Sequence, residues 1–171
     1  MSDNIEKSSV PSASLQVLTF ELAGEVYGVD INSVKEVLEY DGQTKIPKMP
    51  DFMSGVINIR GHVLPVVDMR VKFGLKKGER TVNTCVVVID TELDGDRASI
   101  GALVDSVREV VTFSAADIEA APRIGTQLNT EFIHGMAKTD EGFVIILKLE
   151  AVFSQKEMEA VAAIAPAGKA E

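Results

Sequence analysis

Apolar and polar residues alternate in short stretches along most of the chain, the period of half-buried strands rather than of helices. Residues 15–22 place Leu18, Phe20 and Leu22 on one face, and a turn at Ala23-Gly24-Glu25 leads into a second strand over 26–29. Asp30 stands at an N-cap position before Ile31, Val34, Val37 and Leu38, whose spacing predicts a short helix over 31–38. Residues 44–47 read as an edge strand, because Pro47 and Pro50 bar that stretch from a sheet centre. Strands over 55–59 and 63–67 flank Arg60-Gly61, a hairpin signal, and Asp68 caps a short helix ending near Phe73, with Gly74 as its stop.

After a charged loop at 76–80 the pattern starts again. Strands are predicted over 84–89, 98–104 and 107–113, and Ser114-Ala115-Ala116-Asp117 has the form of a capping box with Asp in place of Glu. A loop containing Pro122 and Gly125 leads to strands over 133–139 and 143–149, and residues 150–164 carry the one long amphipathic pattern, a C-terminal helix. The sum is ten strands, five in each half.

The halves resemble each other. Ser33-Val34-Lys35-Glu36-Val37-Leu38 matches Ser106-Val107-Arg108-Glu109-Val110-Val111, and an offset of 80 maps Gly55 onto Gly135 and Phe73 onto Phe153. Two copies of a five-stranded unit explain this. Five short strands cannot cover both faces of an open sheet, so each copy is expected to curl into a small barrel, with a core shared between the two. The expected organisation is a flexible tail at 1–14, a folded region at 15–164 with intertwined subdomains at about 15–80 and 81–164, and a flexible tail at 165–171. Val63, Leu64, Val66, Val67, Val86, Val88, Ile145 and Leu147 are the expected core.

Composition narrows the function. Hydrophobic residues make up 46% of 171, too many for a disordered chain, and 17 basic against 26 acidic residues leave a net charge of −9. That charge repels phosphate backbones, and no basic cluster offsets it, so nucleic acid is not an expected partner. Cys85 is the only cysteine, so no internal disulfide forms, and with only His62 and His134 beside it no Cys/His zinc site is available. No apolar run is long enough for a membrane helix and no secretory signal opens the chain, which predicts a soluble, cytoplasmic protein without membrane insertion.

The catalytic inventory is thin. There is no glycine-rich nucleotide loop and no nucleophile elbow. His62 reads as a solvated hairpin-turn residue, His134 as a strand-end residue, and Cys85 as a small buried apolar residue with an inert thiol. Asp30 and Asp68 read as helix caps, and Asp94-Gly95-Asp96 as a tight turn too short for a calcium loop. Aromatic content is 5%, with no Trp to stack bases or sugars. No cofactor is expected. By elimination the chain works by contact, with a small Asp/His hydrolase as the competing class.

One stretch carries a specific pattern: Gly55-Val56-Ile57-Asn58-Ile59-Arg60-Gly61-His62-Val63-Leu64-Pro65-Val66-Val67-Asp68-Met69-Arg70. It resembles the signature hairpin of the CheW family, the coupling proteins of bacterial chemotaxis. Tyr27-Gly28-Val29-Asp30-Ile31, Val34-Lys35-Glu36-Val37, residues 46–50 and Val104-Asp105-Ser106-Val107 fit the same family, over roughly residues 15–158. Gly135-Met136-Ala137 departs from the Gly-Leu-Gly common in that family.

The resemblance implies a mainly β fold of two packed SH3-like five-stranded barrels. It also implies a scaffold, not an enzyme, that ties chemoreceptor cytoplasmic tips to the regulatory domain of the histidine kinase CheA and is recruited to membrane receptor arrays. A CheW-like adaptor outside chemotaxis, serving type IV pili or second-messenger output, is the nearest alternative. Val34, Glu36, Gly55, Asn58, Arg60, Val104, Asp105 and Val107 match receptor-facing positions of the family. Leu38, Tyr40, Thr44 and Ile46 mark the kinase side. An Arg60–Glu36 ion pair is expected at the receptor-facing surface.

Overall fold

A computed structural model describes residues 14–40, 42–45, 47, 50–93, 96–120, 130–140 and 142–153. Eleven strands and two short helices follow the chain: β1 (Ser14–Leu22), β2 (Glu25–Asp30), β3 (Val34–Glu39), β4 (Met53–Ile59), β5 (His62–Asp68), α1 (Met69–Lys72), β6 (Cys85–Leu93), β7 (Asp96–Val104), β8 (Ser106–Ser114), β9 (Ile118–Glu119), β10 (Ile133–Thr139), β11 (Gly142–Leu147) and α2 (Leu149–Val152). The predicted C-terminal helix is described only over this last segment; the rest of it, with Ile46, Pro122 and Gly125, lies outside the described residues.

The strands form two sheets. One runs β3-β6-β7-β5-β4 and the other β9-β10-β11-β2-β1-β8. Neither closes, which corrects the expectation of two SH3-like barrels: β3 and β4 remain edges of the first sheet, and β8 and β9 of the second. Each sheet curls around its own apolar cluster, Leu64, Val66, Val86, Val88 and Leu103 in one and Val17, Phe113, Ala137, Val144 and Ile146 in the other. Curling buries the concave face, but no backbone ladder seals the seam.

The internal repeat is present in the structure, in permuted form. In both sheets the second strand of the hairpin just before α1 or α2 pairs in parallel with a distant strand: Val66 of β5 opposite Gly101, and Ile146 of β11 opposite Gly28. Val66 and Ile146 are related by the same offset as Gly55 and Gly135, and the hairpin register slips at both glycines. The first sheet uses residues 34–104 only, whereas the second takes β1 and β2 from the N-terminus and β8–β11 from the far end.

The main core lies between the sheets. Leu18, Phe20, Leu22, Tyr27 and Val29 from the second sheet meet Met53, Val67, Val87, Ile89, Ile100, Ala102 and Val104 from the first. An aromatic row runs through it, with ring centroids 6.0 Å apart for Phe20–Tyr27, 5.7 Å for Tyr27–Phe73 and 5.9 Å for Phe73–Phe132. Lys72 covers the end of the row, its Nζ 4.8 Å from the Phe52 ring centre and 5.6 Å from that of Phe132. Of the expected core residues, Val63 and Ile145 are only half-buried and the others are buried.

Three local expectations need correction. Residues 31–38 are not a helix: Ile31–Ser33 is one 3-10 turn, capped by Asp30 Oδ1 accepting from the Asn32 amide, and β3 begins at Val34. Of residues 44–47, the described ones make a single bridge, between Thr44 and Val56, in place of the expected edge strand. Cys85 is half-buried rather than enclosed, and its Sγ donates to the Asn83 carbonyl at 3.2 Å. The cap at Asp68 is as expected, with Oδ1 accepting from the Arg70 and Val71 amides before α1.

Candidate functional site

The unsealed seam of the first sheet is an open cleft of ≈ 780 Å³ between β3 and β4. Leu38, Glu39 and Tyr40 line one side, Val56 through Arg60 the other, and Gly42, Gln43 and Thr44 the outer wall. Its floor is Val86 and the apolar cluster against which Leu38, Tyr40, Ile57 and Ile59 pack. The site is thus an apolar floor with a polar rim, the form of a contact surface.

One rim is built by the β4–β5 turn. Arg60 and Gly61 both adopt positive φ, +51° and +85°, which gives a tight two-residue hairpin. Asn58 Oδ1 accepts from the Gly61 amide at 3.0 Å and holds the turn. Arg60 is therefore thrown across the seam, where its Nη2 donates to Glu36 Oε2 of β3 at 2.5 Å. The expected ion pair is present, with the arginine side chain 67% exposed and the glutamate 28%. On the other rim the Arg80 guanidinium lies 5.1 Å from the Tyr40 ring centre.

Gly55 sits under the outer wall. Its φ is +153°, and a Cβ there would stand 2.5 Å from the Thr44 carbonyl oxygen. The backbone that needs this glycine is therefore the chain's own.

Asp105, at the junction of β7 and β8, belongs to a different feature. It accepts from Arg70 Nε and Nη2 (2.9 and 2.6 Å) and from the Ala23 amide at 2.8 Å, tying α1 to the β1–β2 turn. Burial pushes its carboxyl up, but the bonds from Arg70 and Ala23 and the charges of Arg70 and Arg80 outweigh that and hold it below the ordinary carboxylate value. Arg80 Nη2 also stands 3.8 Å from Asp68 Oδ2, a buried oxygen with no hydrogen-bond partner among the described residues.

The residues singled out in the sequence thus fall into three places. Glu36, Leu38, Tyr40, Thr44, Asn58 and Arg60 gather at the cleft, and Asp105 sits in the ionic corner. Val34 and Val107 pack half-buried against the inter-sheet core, and Val104 is fully within it. Gln43, Arg70 and Arg80 carry site geometry that sequence reasoning missed. Proximity of Gln43 to Ser54 and of Arg80 to Tyr40 is a tertiary fact, with no local pattern to announce it. His62 and His134 are exposed on β5 and β10, and no group of three or more His, Cys, Asp or Glu among the described residues is placed to hold a metal.

Known proteins are similar to this chain in sequence and in fold. The CheW-like domain family matches residues 16–157. The chain is 35% identical to the chemotaxis protein CheW of Klebsiella aerogenes, covering 92% of each chain. It is 31% identical to the probable chemotaxis protein CheW of Rhizobium etli, over 89% of this chain and 96% of that one. The crystal structure of the scaffolding protein TtCheW from Thermoanaerobacter tengcongensis superposes with a TM-score of 0.74 at 37% identity, covering 85% of this chain and 92% of the other. Sequence, fold and length agree, and this chain belongs to the CheW family.

Proposed function

We propose that the chain is a non-catalytic coupling scaffold of bacterial chemotaxis that joins chemoreceptor cytoplasmic tips to the histidine kinase CheA. The observation that carries this reading is family membership over nearly the whole folded chain, together with the cleft as a contact surface. No helix among the described residues is long and apolar enough to cross a membrane. In the proposed role, the chain reaches membrane arrays through its contacts with receptors.

Within this role Glu36, Asn58 and Arg60 supply the receptor-facing rim, with Gly55 behind it. Arg60 is suited to this: a guanidinium held by a carboxylate keeps its other N–H donors aimed in one direction. Val34, Val104 and Val107 support that surface from the inter-sheet core, and Asp105 holds the corner beside it. Leu38, Tyr40, Thr44 and Ile46 make up the kinase side. A modest interface is enough, because hydrophobic area sets affinity only after ordering costs are met.

Reconstitution tests the reading. Purified kinase, a receptor cytoplasmic fragment and ATP are combined with and without this protein, and kinase phosphorylation is followed. Stimulation is expected only with all three present. Turnover of any substrate by this protein alone, lost in His62→Ala, would favour the hydrolase reading instead.

A further inference from the structure

Each sheet edge is a row of unpaired backbone groups, and proteins block such edges against pairing with other chains. Three of the four edges here carry ordinary protection. β3 presents Lys35, Glu36 and Glu39, β8 presents Arg108 and Glu109, and β9 is two residues long. β4 has none of these: Met53-Ser54-Gly55-Val56-Ile57-Asn58-Ile59 contains no charge and no proline. Such a segment is the kind that adds to a second copy of itself.

Its outer edge is occupied from within. The Thr44 amide donates to the Val56 carbonyl and the Val56 amide to the Thr44 carbonyl, both at 2.8 Å. Gln43 Nε2 donates to the Ser54 carbonyl at 2.7 Å. Gly42, at φ +97°, turns the chain away on one side, and Pro47 limits pairing on the other, so the cover is one rung long.

The second sheet repeats the device. There β9 covers β10, pairing Ile118 with Ala137 and Glu119 with Met136. At Gly135, the repeat partner of Gly55, a Cβ would stand 2.6 Å from Ile118 Cγ2 and 3.0 Å from the Glu119 carbonyl oxygen. In both sheets a glycine at the register slip makes room for the covering segment.

We infer that residues 42–45 are an edge guard, seated by Gly55, that keeps β4 from pairing with β4 of a second copy of this chain. Gly55 is thus a positioning residue that acts through Thr44. A partner able to use the edge is an identical strand, laid antiparallel across a two-fold axis.

Hydrogen exchange and sedimentation velocity test this together. In the parent protein the Val56 amide should be protected, and sedimentation should show no concentration-dependent dimer. In Gly55→Ala, at concentrations where it is still monomeric, the Val56 amide should exchange faster by roughly 100-fold, because the seat is filled and the segment released. The same variant should shift to a dimer as concentration rises. Adding Asn58→Lys, a charge on the bare strand, should return it to monomer while Val56 still exchanges. A released Gly55→Ala protein that stays monomeric at every concentration overturns the guard, and so does a Val56 amide that stays protected in the monomer. Should Gly55→Ala fail to fold, Gln43→Ala removes only the bond to Ser54; an unchanged Val56 exchange rate there overturns the inference, and an increase of about tenfold supports it.

Discussion

Arg60 holds a left-handed backbone conformation that a non-glycine residue adopts at a cost of about 1 kcal/mol. From that place its guanidinium spans the seam of the first sheet to Glu36. The pair is exposed, so its contribution to stability is at most ~1 kcal/mol, and its use is directional. Arg60→Ala and Glu36→Ala are each expected to weaken receptor-fragment binding with little change in melting temperature. A double-mutant cycle on that affinity decides the matter: strictly additive losses mean the two side chains act separately. Asp105 behaves differently. Its carboxyl is held below the ordinary value, so its stabilising effect is complete above the unfolded-state value near ~3.9 and is lost as pH falls through the folded-state value. Asp105→Asn should therefore cost about 1 kcal/mol at neutral pH, discounted for partial exposure, and the difference from the parent should shrink below about pH 4. Thermal melts of both proteins from pH 3 to 7 measure it.

Thr19 shows how a side chain completes an element. The β1–β8 register slips between Leu18 and Phe20, and the Thr19 hydroxyl fills the break, donating to the Glu109 carbonyl at 2.7 Å and accepting from the Glu109 amide at 3.1 Å. Thr19→Val keeps the shape but leaves both groups unpaired. The expected cost is about 1–2 kcal/mol, with Thr19→Ser recovering most of it, read by urea denaturation. At this scale the strands were mostly legible in the sequence, because alternation and turn residues are local signals. The failure over residues 31–38 has a simple cause. Ile31, Val34, Val37 and Leu38 fit a helical period, yet β3 alternates with Val34, Glu36 and Leu38 half-buried and Lys35, Val37 and Glu39 exposed. Its charges sit on an edge strand, where polar residues are tolerated on both faces, so the period of two was obscured. Openness of the sheets was equally invisible, since nothing in β3 or β4 states that they will fail to pair. The Arg60–Glu36 contact, by contrast, was anticipated from the family pattern and the turn.

The whole molecule is held by the core between the sheets, which draws on both about equally. Val67 is fully buried in that core, and Val88 is 2% exposed inside the first sheet's own cluster. Truncating either to Ala should cost on the order of 1–3 kcal/mol. Because the inter-sheet core is shared, Val67→Ala should lower one common transition, followed in urea by Tyr fluorescence and by circular dichroism alike.

The parallel pairing of β11 with β2 also has a temporal side. The first sheet is contiguous in the chain, so all its strands leave the ribosome in one run. The hairpin of β1 and β2 has no such luck: β2 meets its second neighbour, β11, only after Ile145 and Ile146 have been made. At about 5–20 residues per second, roughly 100 residues of further synthesis leave Phe20, Tyr27 and Val29 without the last of their partners for on the order of 10 s. This early segment is among the last to find its place, and its contacts are of high sequence separation, the kind that slows folding.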